Sequence, residues 1–423
     1  LKNYARNPRK HPDKQIVKLK ASVSRWGIAI PILIDEDDVI IAGEAVTEAA
    51  RRLHVDEVPV IVARGWSPAK VQAFRLAANR LAEHATWDKE LLALEIREII
   101  EIGEMEVDLL GWEIGEIDVM LEPDPTGGTG SISADPDDAT VAVTVRPTSR
   151  LGDLWHLGDH RLLCASSLEE AAWAQLMDGK QAAMVFTDSP YNVAVNGHVR
   201  GPGKVRHAEF AMASGEMSVQ EFTAFLTSAI EAMAAKTKDG GLLYLFMDWR
   251  HLAEILAAIR GCGLSLINLC VWNKTNGGMG SLYRSKHELV FVAKKGNAPH
   301  TNNVQMGRHG RYRCNVWDYA GVNSFGASRA EDLADHPTVK PVALIADAIR
   351  DVTNPGEIVI DGFMGSGSTI LAAERAKRVA YGIEIEPAYV DVAIRRWEKR
   401  TGKCAILAAT GESFAEVTTA RSE

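Results

Sequence analysis

From about residue 141 onward, short apolar runs alternate with longer stretches of helical periodicity, and this alternation is what most constrains the fold. Strands are predicted at residues 182–187, 242–247, 266–272, 289–293, 357–361 and 379–384. Helices are predicted at residues 218–236, 249–260, 341–352, 368–377 and 387–400. Strands separated by helices favour an α/β fold with a mostly parallel sheet that is covered on both faces. In such a sheet a ligand binds beyond the carboxyl ends of the strands.

The first part of the chain is organised differently. Residues 1–83 are predicted to form a small α/β unit, with helices at 15–26, 43–53 and 67–82 and strands at 31–34, 39–41 and 58–62. Residues 84–121 are predicted to be an acidic helical connector, whose main helix covers 88–102. The region 122–141 is rich in Pro, Gly, Ser and Asp, which predicts a flexible linker. The larger α/β domain then occupies residues 142–410.

The charge of the chain is unevenly distributed. The formal net charge is −9, but residues 88–141 contain sixteen acidic and two basic residues, so the remainder carries a net positive charge. Residues 2–20 contain seven basic residues and one acidic residue. This pattern is compatible with nucleic-acid contact by the regions that flank the acidic connector, and equally with solvated surfaces.

Apolar content and cysteine placement indicate the cellular setting. No uninterrupted apolar stretch reaches the roughly 18 residues of a membrane span, and the first residues do not resemble a signal peptide. The five cysteines are scattered, without the close CxxC spacing of a zinc site. We therefore expect a cytoplasmic chain with reduced thiols, no bound metal and no membrane partner.

The four residues Asp188-Ser189-Pro190-Tyr191 follow the apolar run 182–186, which is typical of a buried strand. The acid and a backbone carbonyl can accept the hydrogens of an amino group. Proline restrains the chain, and tyrosine offers a flat face for stacking. The combination suits chemistry at the exocyclic amine of a nucleobase, although an ordinary turn after a strand can have the same composition.

A glycine-rich turn, residues 361–369, follows another apolar strand and precedes a helix. Its glycines would let a ligand approach the backbone, next to the free N–H groups of the helix start. Glu384 ends the next strand, where an acid can accept the hydroxyls of a ribose. The turn lacks the third glycine of a dinucleotide site, because Ile370 occupies that position, and it lacks the lysine of a P-loop. An adenosyl ligand without a pyrophosphate fits best, and a junction without a ligand remains the alternative.

A third segment, His336-Pro337-Thr338-Val339-Lys340-Pro341, stands immediately before a predicted helix. Its two prolines restrain the backbone, and its threonine and lysine supply hydrogen-bond donors. A rigid entry into a helix is the simpler interpretation of this segment when it is taken alone.

Together the three segments resemble the amino-methyltransferases of DNA, which carry an Asp/Asn/Ser-Pro-Pro-aromatic catalytic motif and an FxGxG cofactor motif. The HPTxKP element ahead of Phe363-Met364-Gly365-Ser366-Gly367 is also typical of that family. The catalytic motif precedes the cofactor motif, which is the permuted order of the beta group. The resemblance covers about residues 145–405, and it implies a Rossmann-like, S-adenosylmethionine-dependent methyltransferase sheet.

The resemblance implies a role for each matched residue. S-adenosylmethionine would be held by Asp361, Phe363, Gly365, Ser366, Gly367, Thr369 and Glu384, with His336, Thr338 and Lys340 lining the same pocket. The segment Asp188, Ser189, Pro190 and Tyr191 would receive a base that has left the DNA helix. Asp188 and the carbonyl of Ser189 would accept the two amino hydrogens, so that the nitrogen can attack the methyl group in line.

Two features of the catalytic segment bear on rate and target. Ser189 stands where the family usually has its first proline, so the backbone is less restrained there. Asp188 favours adenine, because cytosine-amino enzymes of the family usually have serine at that position. Methylation of a cytosine amino group, or of RNA or protein, stays open as an alternative, and so does a DNA-binding protein whose methyltransferase half is inactive.

Target recognition is expected within residues 194–215 and 273–330, where basic, irregular stretches lie between the catalytic and cofactor motifs. The expected partner is double-stranded DNA, and a homodimer is compatible with the sequence. The residues expected to contact DNA phosphates are basic: Arg200, Lys204, Arg206, Lys274, Arg284, Arg308, Arg311 and Arg313. Solvated loops would have the same composition.

The N-terminal unit resembles the ParB/Srx-like domain of partition proteins. The resemblance rests on Asn7-Pro8-Arg9 with His11-Pro12, on the strand 31–33, and on Ile41-Ala42-Gly43-Glu44 before a helix. Members that use a nucleotide have arginine shortly after the Gly-Glu pair, where Ala45 and Val46 stand in this chain. The resemblance therefore implies a DNA-positioning or assembly role rather than nucleotide hydrolysis.

Overall fold

The computed structural model describes residues 1–102, 107–121, 135–139, 141, 143, 146–192, 215–274, 282–308, 311–321 and 339–422. The chain forms two compact units, Leu1–Leu121 and Glu122–Glu423. Every helix in the described ranges is too short or too polar to traverse a lipid bilayer.

The first unit contains a three-stranded sheet with the order β2-β1-β3. Strand β1 (Ile32–Ile34) pairs antiparallel with β2 (Ile40–Ala42) and parallel with β3 (Val60–Val62). The helices are α1 (Asp13–Trp26), α2 (Glu44–Arg52), α3 (Pro68–Ala82), α4 (Lys89–Ile102) and α5 (Ile114–Leu121). The predicted helices and strands of residues 1–102 are confirmed to within a few residues at their ends.

Residues of the predicted acidic connector belong to this same compact unit. Glu113, just before α5, forms salt bridges with Lys14 and Lys18 of α1 at 2.8 and 2.9 Å. Burial acts to raise the pKa of Glu113, but the two ammonium groups outweigh it and lower that pKa to about 2. The acidic segment is therefore bound to the basic first helix, which reduces the positive charge that this helix presents to solvent.

The second unit is built on a ten-stranded sheet, counted over the described residues, with the order β10-β8-β9-β7-β6-β11-β12-β5-β4-β13. Its strands are β4 (Leu154–Leu157), β5 (His160–Cys164), β6 (Ala182–Thr187), β7 (Thr237–Met247), β8 (Ser265–Asn273), β9 (His287–Lys294), β10 (Val316–Asp318), β11 (Ile358–Asp361), β12 (Val379–Glu384) and β13 (Ile406–Leu407). Its helices are α6 (Glu170–Met177), α7 (Val219–Ala235), α8 (Leu252–Gly261), α9 (Val342–Val352), α10 (Ser368–Arg375), α11 (Pro387–Thr401) and α12 (Phe414–Ser422).

The centre of this sheet is parallel, as predicted, because β7, β6, β11, β12 and β5 run in one direction. Strand β6 is buried on both faces: Met184 and Phe186 belong to one apolar cluster and Val185 to the other. The carboxyl ends of β6, β11 and β12 lie at the same edge, so the chain segments that follow them converge there.

The periphery of the sheet differs from the prediction. Strand β9 is antiparallel to both β7 and β8, and β4 is antiparallel to β5 and β13. Strands β4, β5, β10 and β13 and helices α6 and α12 are not among the predicted elements. The parallel core thus continues into antiparallel strands on both sides.

The end of the predicted flexible linker is docked on the second unit. The carboxylate of Asp135 binds Arg375 of α10 at 2.5 Å, and the backbone carbonyl of Asp137 accepts a 2.9 Å hydrogen bond from Arg396 of α11. The Asp138 carboxylate accepts the N–H of Val342, the first residue of α9, at 2.8 Å. These bonds correct the prediction of a linker that is flexible up to residue 141. The preceding residues, 122–134, lie outside the described part of the chain.

Candidate active site

Asp188 and Tyr191 lie in the turn that follows β6. The Tyr191 hydroxyl donates a hydrogen bond to Oδ1 of Asp188 at 2.6 Å, and it lies 3.2 Å from Oε2 of Glu288. Burial raises the pKa of Asp188, because desolvation disfavours its charged form. Ser189 is buried and Pro190 partly buried within the same turn. The structure therefore brings the predicted acid and the predicted aromatic ring into direct contact.

Three further charged residues surround Asp188. The ammonium of Lys340, two residues before α9, contacts Oδ2 of Asp188 and lies 3.0 Å from Oε2 of Glu288. Glu288, the second residue of β9, also binds the ammonium of Lys274, which follows β8. We refer to Asp188, Tyr191, Lys274, Glu288 and Lys340 as the Asp188 cluster. Its two carboxylates and two ammonium groups balance in charge, as a largely buried ionic group requires.

The partners in the Asp188 cluster determine its charge state. Burial acts to raise the pKa of Glu288, but the two lysines outweigh it and lower that pKa to about 2. Burial acts to lower the pKa of Lys340, and the carboxylates of Asp188 and Glu288 reverse this and raise it overall. At neutral pH Glu288 is therefore an anion and Lys340 a cation, and Asp188 is the more basic of the two carboxylates.

Glu288 belongs to the Asp188 cluster, although it is not among the residues predicted from the sequence. It is the only acidic residue between Lys274 and Leu289, within an otherwise basic stretch. A lone acid among lysines and an arginine was the available signal. It points to a specific internal pairing rather than to a solvated surface.

The glycine turn begins beside the turn at Asp188, because β11 pairs with β6. Oδ1 of Asp361 accepts hydrogen bonds from the Thr187 hydroxyl at 2.8 Å and from the Phe363 N–H at 3.0 Å. Its Oδ2 accepts the Thr369 hydroxyl at 2.7 Å. Burial raises the pKa of Asp361 to about 6. Asp361 thus joins the end of β6 to both ends of the glycine turn.

Two glycines of this turn occupy left-handed backbone conformations. Gly365 has φ of 53° and Gly367 has φ of 84°. A Cβ at Gly367 would also lie 2.6 Å from the Cβ of Ala393 on α11, closer than carbon atoms can approach. Gly367 therefore permits both the turn and the close packing of α10 against α11.

Glu384 ends β12 and faces the glycine turn. Its Oε2 accepts the Gly365 N–H at 2.7 Å, and its Oε1 accepts the Glu386 N–H at 2.9 Å. Burial raises the pKa of Glu384 to about 7. Each carboxylate oxygen has a second acceptor direction, so Glu384 can also accept hydrogen bonds from the hydroxyls of a ligand.

Three residues predicted to contact a cofactor also form hydrogen bonds within the protein. Asp361 and Thr369 bind each other, and the Ser366 hydroxyl accepts a 2.8 Å hydrogen bond from Arg396. Arg396 is buried, and it also donates to the carbonyl of Ser366 at 2.7 Å. These bonds fix the three side chains within the turn, and their contact with a cofactor stays a prediction.

The segment from His336 to Pro341 is only partly described. His336 and Thr338 lie outside the described residues, so their predicted place in a cofactor pocket is not addressed by the structure. Lys340 is buried, and its ammonium lies in the Asp188 cluster. The structure therefore links the third sequence motif to Asp188.

The residues predicted to contact DNA divide into several groups. Arg200, Lys204 and Arg206 lie outside the described residues. Arg284 is exposed, next to Tyr283, whose side chain is 83% exposed. Lys274 is bound to Glu288 within the Asp188 cluster. Of these residues, Arg284 has the exposure that a phosphate contact requires.

Arg311 and Arg313 are bound within the protein, which corrects their predicted place on a DNA-contacting loop. Arg311 is 6% exposed and pairs with Asp351 of α9 at 2.8 Å. Arg313 binds the other oxygen of Asp351 at 3.1 Å and the Tyr319 hydroxyl at 2.6 Å. Burial acts to lower the pKa of Arg313, but the carboxylates of Asp351 and Asp347 outweigh it and raise that pKa overall. Both guanidinium groups hold the chain before β10 against α9.

Arg308 is exposed, but its segment is attached at the far end of α9. The side-chain amide of Asn303 donates to the carbonyls of Arg350 and Thr353, both at 2.8 Å. Lys340, which contacts Asp188, precedes the opposite end of this eleven-residue helix. Since such a helix is about 16 Å long, the anchor of the Arg308 segment is well separated from the Asp188 cluster.

A model of the DNA methylase family, N6_N4_Mtase, matches residues 182–395. The matched region is about half of the chain, and it runs from the start of β6 into α11, with both the Asp188 cluster and the glycine turn inside it. The chain belongs to this DNA methylase family.

Relatives of this DNA methylase include two curated proteins. The type II methyltransferase M.HpaI of Haemophilus parainfluenzae is 24% identical over 252 residues, which cover 56% of this chain and 74% of the relative. The putative methylase YubD of Escherichia coli (strain K12) is 26% identical over 211 residues, which cover 50% and 79%.

Solved structures are also similar to this DNA methylase. The PvuII DNA methyltransferase, described as cytosine-N4-specific, has 18% identity and a TM-score of 0.44, with 66% of this chain and 94% of that one covered. The crystal structure of the M1.HpyAVI–SAM complex has 23% identity and a TM-score of 0.41, with 56% and 97% covered.

Proposed function

We propose that this DNA methylase transfers a methyl group from S-adenosylmethionine to the exocyclic amino group of an adenine at a specific sequence in double-stranded DNA. The observation that carries the proposal is the 2.8 Å hydrogen bond between Thr187 and Asp361. It joins β6, which directly precedes Asp188, to β11, whose last residue opens the glycine turn. A base at the first turn and a cofactor at the second would therefore be neighbours, as in-line transfer requires.

The residues of the glycine turn fit an adenosyl ligand. The left-handed Gly365 and Gly367 leave the backbone open to close approach. Glu384 keeps acceptor capacity for ribose hydroxyls, and Phe363 within the turn is partly buried. S-adenosylmethionine would supply a methyl group on a sulfonium centre. The protein's contribution is to hold that centre in line with the amine.

At the other turn, Asp188 and the carbonyl of Ser189 would accept the two hydrogens of the amino group. The amino lone pair of a nucleobase is delocalised into the ring, so the free amine is a poor nucleophile. Two acceptors would draw the nitrogen toward a tetrahedral geometry and localise its lone pair. The raised pKa of Asp188 suits this role, because a more basic carboxylate is a stronger hydrogen acceptor.

The target base must leave the DNA helix to reach this turn. The ring of Tyr191 would provide a stacking face, and the ammonium of Lys340 lies 5.6 Å from the centre of that ring. Adenine is proposed over cytosine because the acid at position 188 is the residue that adenine-modifying members of the family usually have. Cytosine-amino transfer is the alternative that the assay must separate.

The test is a transfer assay with methyl-labelled S-adenosylmethionine and DNA of mixed sequence, followed by digestion to nucleosides. Label in N6-methyl-2′-deoxyadenosine supports the proposal, and label only in N4-methyl-2′-deoxycytidine replaces adenine by cytosine. Binding of S-adenosylmethionine without any transfer to DNA would overturn the enzymatic function. In that outcome the protein would act as a DNA-binding protein with an inactive methyltransferase half.

For the first unit we propose a ParB-like role in positioning DNA. Asn7 of the segment Asn7-Pro8-Arg9 binds Glu44, the first residue of α2. Gly43 caps the start of this helix with φ of 102°. Arg9 binds Asn79 of α3 at 2.7 Å, so the basic N-terminal segment is attached to the folded unit. Lys10 is exposed and Lys20 is partly exposed. Reversing both charges should weaken DNA binding and reduce its salt dependence. Unchanged affinity and salt slope would contradict the proposal.

A further inference from the structure

The ammonium of Lys340 is shared by two carboxylates. It contacts Oδ2 of Asp188, and it lies 3.0 Å from Oε2 of Glu288. The Lys340 side chain is 5% exposed, so water contributes little to its solvation. The two acids therefore compete for one buried cation.

Both oxygens of Asp188 already accept a donor. Oδ1 accepts the Tyr191 hydroxyl at 2.6 Å, and Oδ2 accepts Lys340. An incoming amino group needs acceptor capacity on the same carboxylate. If Lys340 paired with Asp188 alone, its full charge would oppose this by making Asp188 a weaker base.

Glu288 offers Lys340 a second acceptor at the other side of the cluster. Its Oε2 also lies 3.2 Å from the Tyr191 hydroxyl, so it can accept from either donor that occupies Asp188. Its remaining oxygen is fixed by Lys274, which orients the carboxylate toward Lys340. Glu288 can thus accept a hydrogen bond from Tyr191 and from Lys340, the two donors that bind Asp188.

We propose that Glu288 is a positioning residue for methyl transfer, which holds Lys340 and Tyr191 so that Asp188 can accept a hydrogen of the target amine. This inference rests on the proposed function, because it concerns how the same catalytic acid is prepared. Glu288 lies on β9 and has no need to touch the base or the cofactor. It acts through the two donors that it shares with Asp188.

The charged groups that face Asp188 come from several elements. Lys340 approaches from the start of α9 and Glu288 from β9, while Asp361 acts from β11. Lys274 acts through Glu288. The negative charge of Glu288 helps to keep the pKa of Asp188 raised. Removing that charge should therefore make Asp188 less basic, and removing Lys274 should do the reverse.

The variant that tests the proposal is Glu288→Gln, which keeps the size of the side chain and removes its charge. We expect kcat to fall about tenfold or more, with KM for S-adenosylmethionine and for DNA within about twofold. The acidic limb of the kcat–pH profile should move to lower pH. A merely structural residue would not move that limb, so an unmoved limb overturns the proposal.

Two matched variants should affect the acidic limb differently from Glu288→Gln. Lys274→Met removes the cation on Glu288, so the acidic limb should move to higher pH. Glu288→Asp keeps the charge, so the limb should stay at its wild-type pH even where the shorter side chain lowers the rate. A shift to lower pH in all three variants would indicate general disruption of the cluster and would contradict the inference.

A titration that needs no catalysis separates this inference from the proposed function. The ¹³C carboxyl signal of Asp188, assigned by its absence in Asp188→Asn, is followed against pH in wild type and in Glu288→Gln. A lower midpoint in the variant supports the inference, even if no DNA is methylated and the proposed function fails. Methyl transfer by the wild type together with an unchanged midpoint overturns the inference alone.

Discussion

The hydroxyl of Thr187 donates a 2.8 Å hydrogen bond to Asp361, across the boundary between strands β6 and β11. Thr187 directly precedes Asp188, and Asp361 opens the glycine turn. Because each residue is the last of its strand, this one bond aligns the two turns with each other. The distance between methyl donor and acceptor is therefore expected to depend on it.

Thr187→Val should remove that bond while keeping the shape of the side chain. The buried Oδ1 of Asp361 would retain only the Phe363 N–H, so we expect a loss of about 1–2 kcal/mol in the free energy of unfolding. Methyl transfer should fall more than S-adenosylmethionine affinity. Denaturant unfolding, calorimetric binding and the transfer assay measure the three quantities.

The matched control is Thr227→Val, since the Thr227 hydroxyl donates to Thr223 within α7 and contacts neither turn. It should leave transfer unchanged. Equal transfer by the Thr187 variant and this control would show that the inter-strand bond does not align the site.

Asp188→Ala should abolish methyl transfer and leave S-adenosylmethionine affinity within about tenfold, or some 1.4 kcal/mol. The physical reason is that, in the proposed function, Asp188 would accept a hydrogen of the base, while the neighbouring turn would hold the cofactor. Transfer rates and calorimetric titration with S-adenosylmethionine give the comparison. If binding were lost as completely as transfer, Asp188 would mainly hold the cofactor.

Gly367→Ala should destabilise the protein by about 2–4 kcal/mol. Its φ of 84° is unfavourable for alanine, and the new Cβ would lie 2.6 Å from the Cβ of Ala393. Gly402→Ala is the control, because Gly402 has φ of 72° and nothing within 4 Å of the added atom. Thermal unfolding should therefore show a clearly smaller loss for Gly402→Ala, of about 1–2 kcal/mol. Similar losses in both variants would exclude the contact with Ala393 as a cause.

The affinity for S-adenosylmethionine should rise with pH through about 7, which is the pKa to which burial raises Glu384. Ribose hydroxyls donate best to the ionised carboxylate, so affinity should increase about tenfold between pH 6 and pH 8. Stability without ligand should show the opposite trend. A raised folded pKa stabilises fully below the unfolded value of 4.5, and that contribution is lost as the pH rises through about 7.

Glu384→Gln is the control for this pH dependence. It removes the titrating group, so affinity measured by calorimetry should become nearly independent of pH in the same window. A steep dependence that persists in Glu384→Gln would assign the effect to another group.

The central elements and both turns were predictable because their signals are local. Strand β6 and the turn at Asp188 are contiguous in sequence, and so are β11 and the glycine turn. The direction of β9 was not predictable, because a continuous apolar run has the same composition in a parallel and in an antiparallel strand. Glu288 and Lys340 meet only through this sheet order, which no local pattern encodes.

Local composition led to wrong predictions where residues bind partners that are distant in the sequence. Residues 311 and 313 are basic and lie in an irregular segment, which indicates a surface loop, yet Asp351 of α9 binds both. The Pro-Asp-Asp sequence at 136–138 is typical of a linker, yet Arg396 and Val342 bind its backbone and side chains. In both cases ion pairs and hydrogen bonds across the fold decide the structure.

The docked residues Asp135 to Asp138 also decide where a shortened enzyme can begin. They bind Arg375 at the end of α10, Arg396, which also donates to Ser366 of the glycine turn, and the first N–H of α9, two residues after Lys340. A protein started at residue 142, the boundary that composition suggests, would expose these groups and lose the support of its own cofactor turn. A protein started before residue 135 would keep them. The catalytic unit therefore carries part of its framework ahead of its first strand, and any natural or engineered exchange of the preceding unit must join the chain upstream of Asp135.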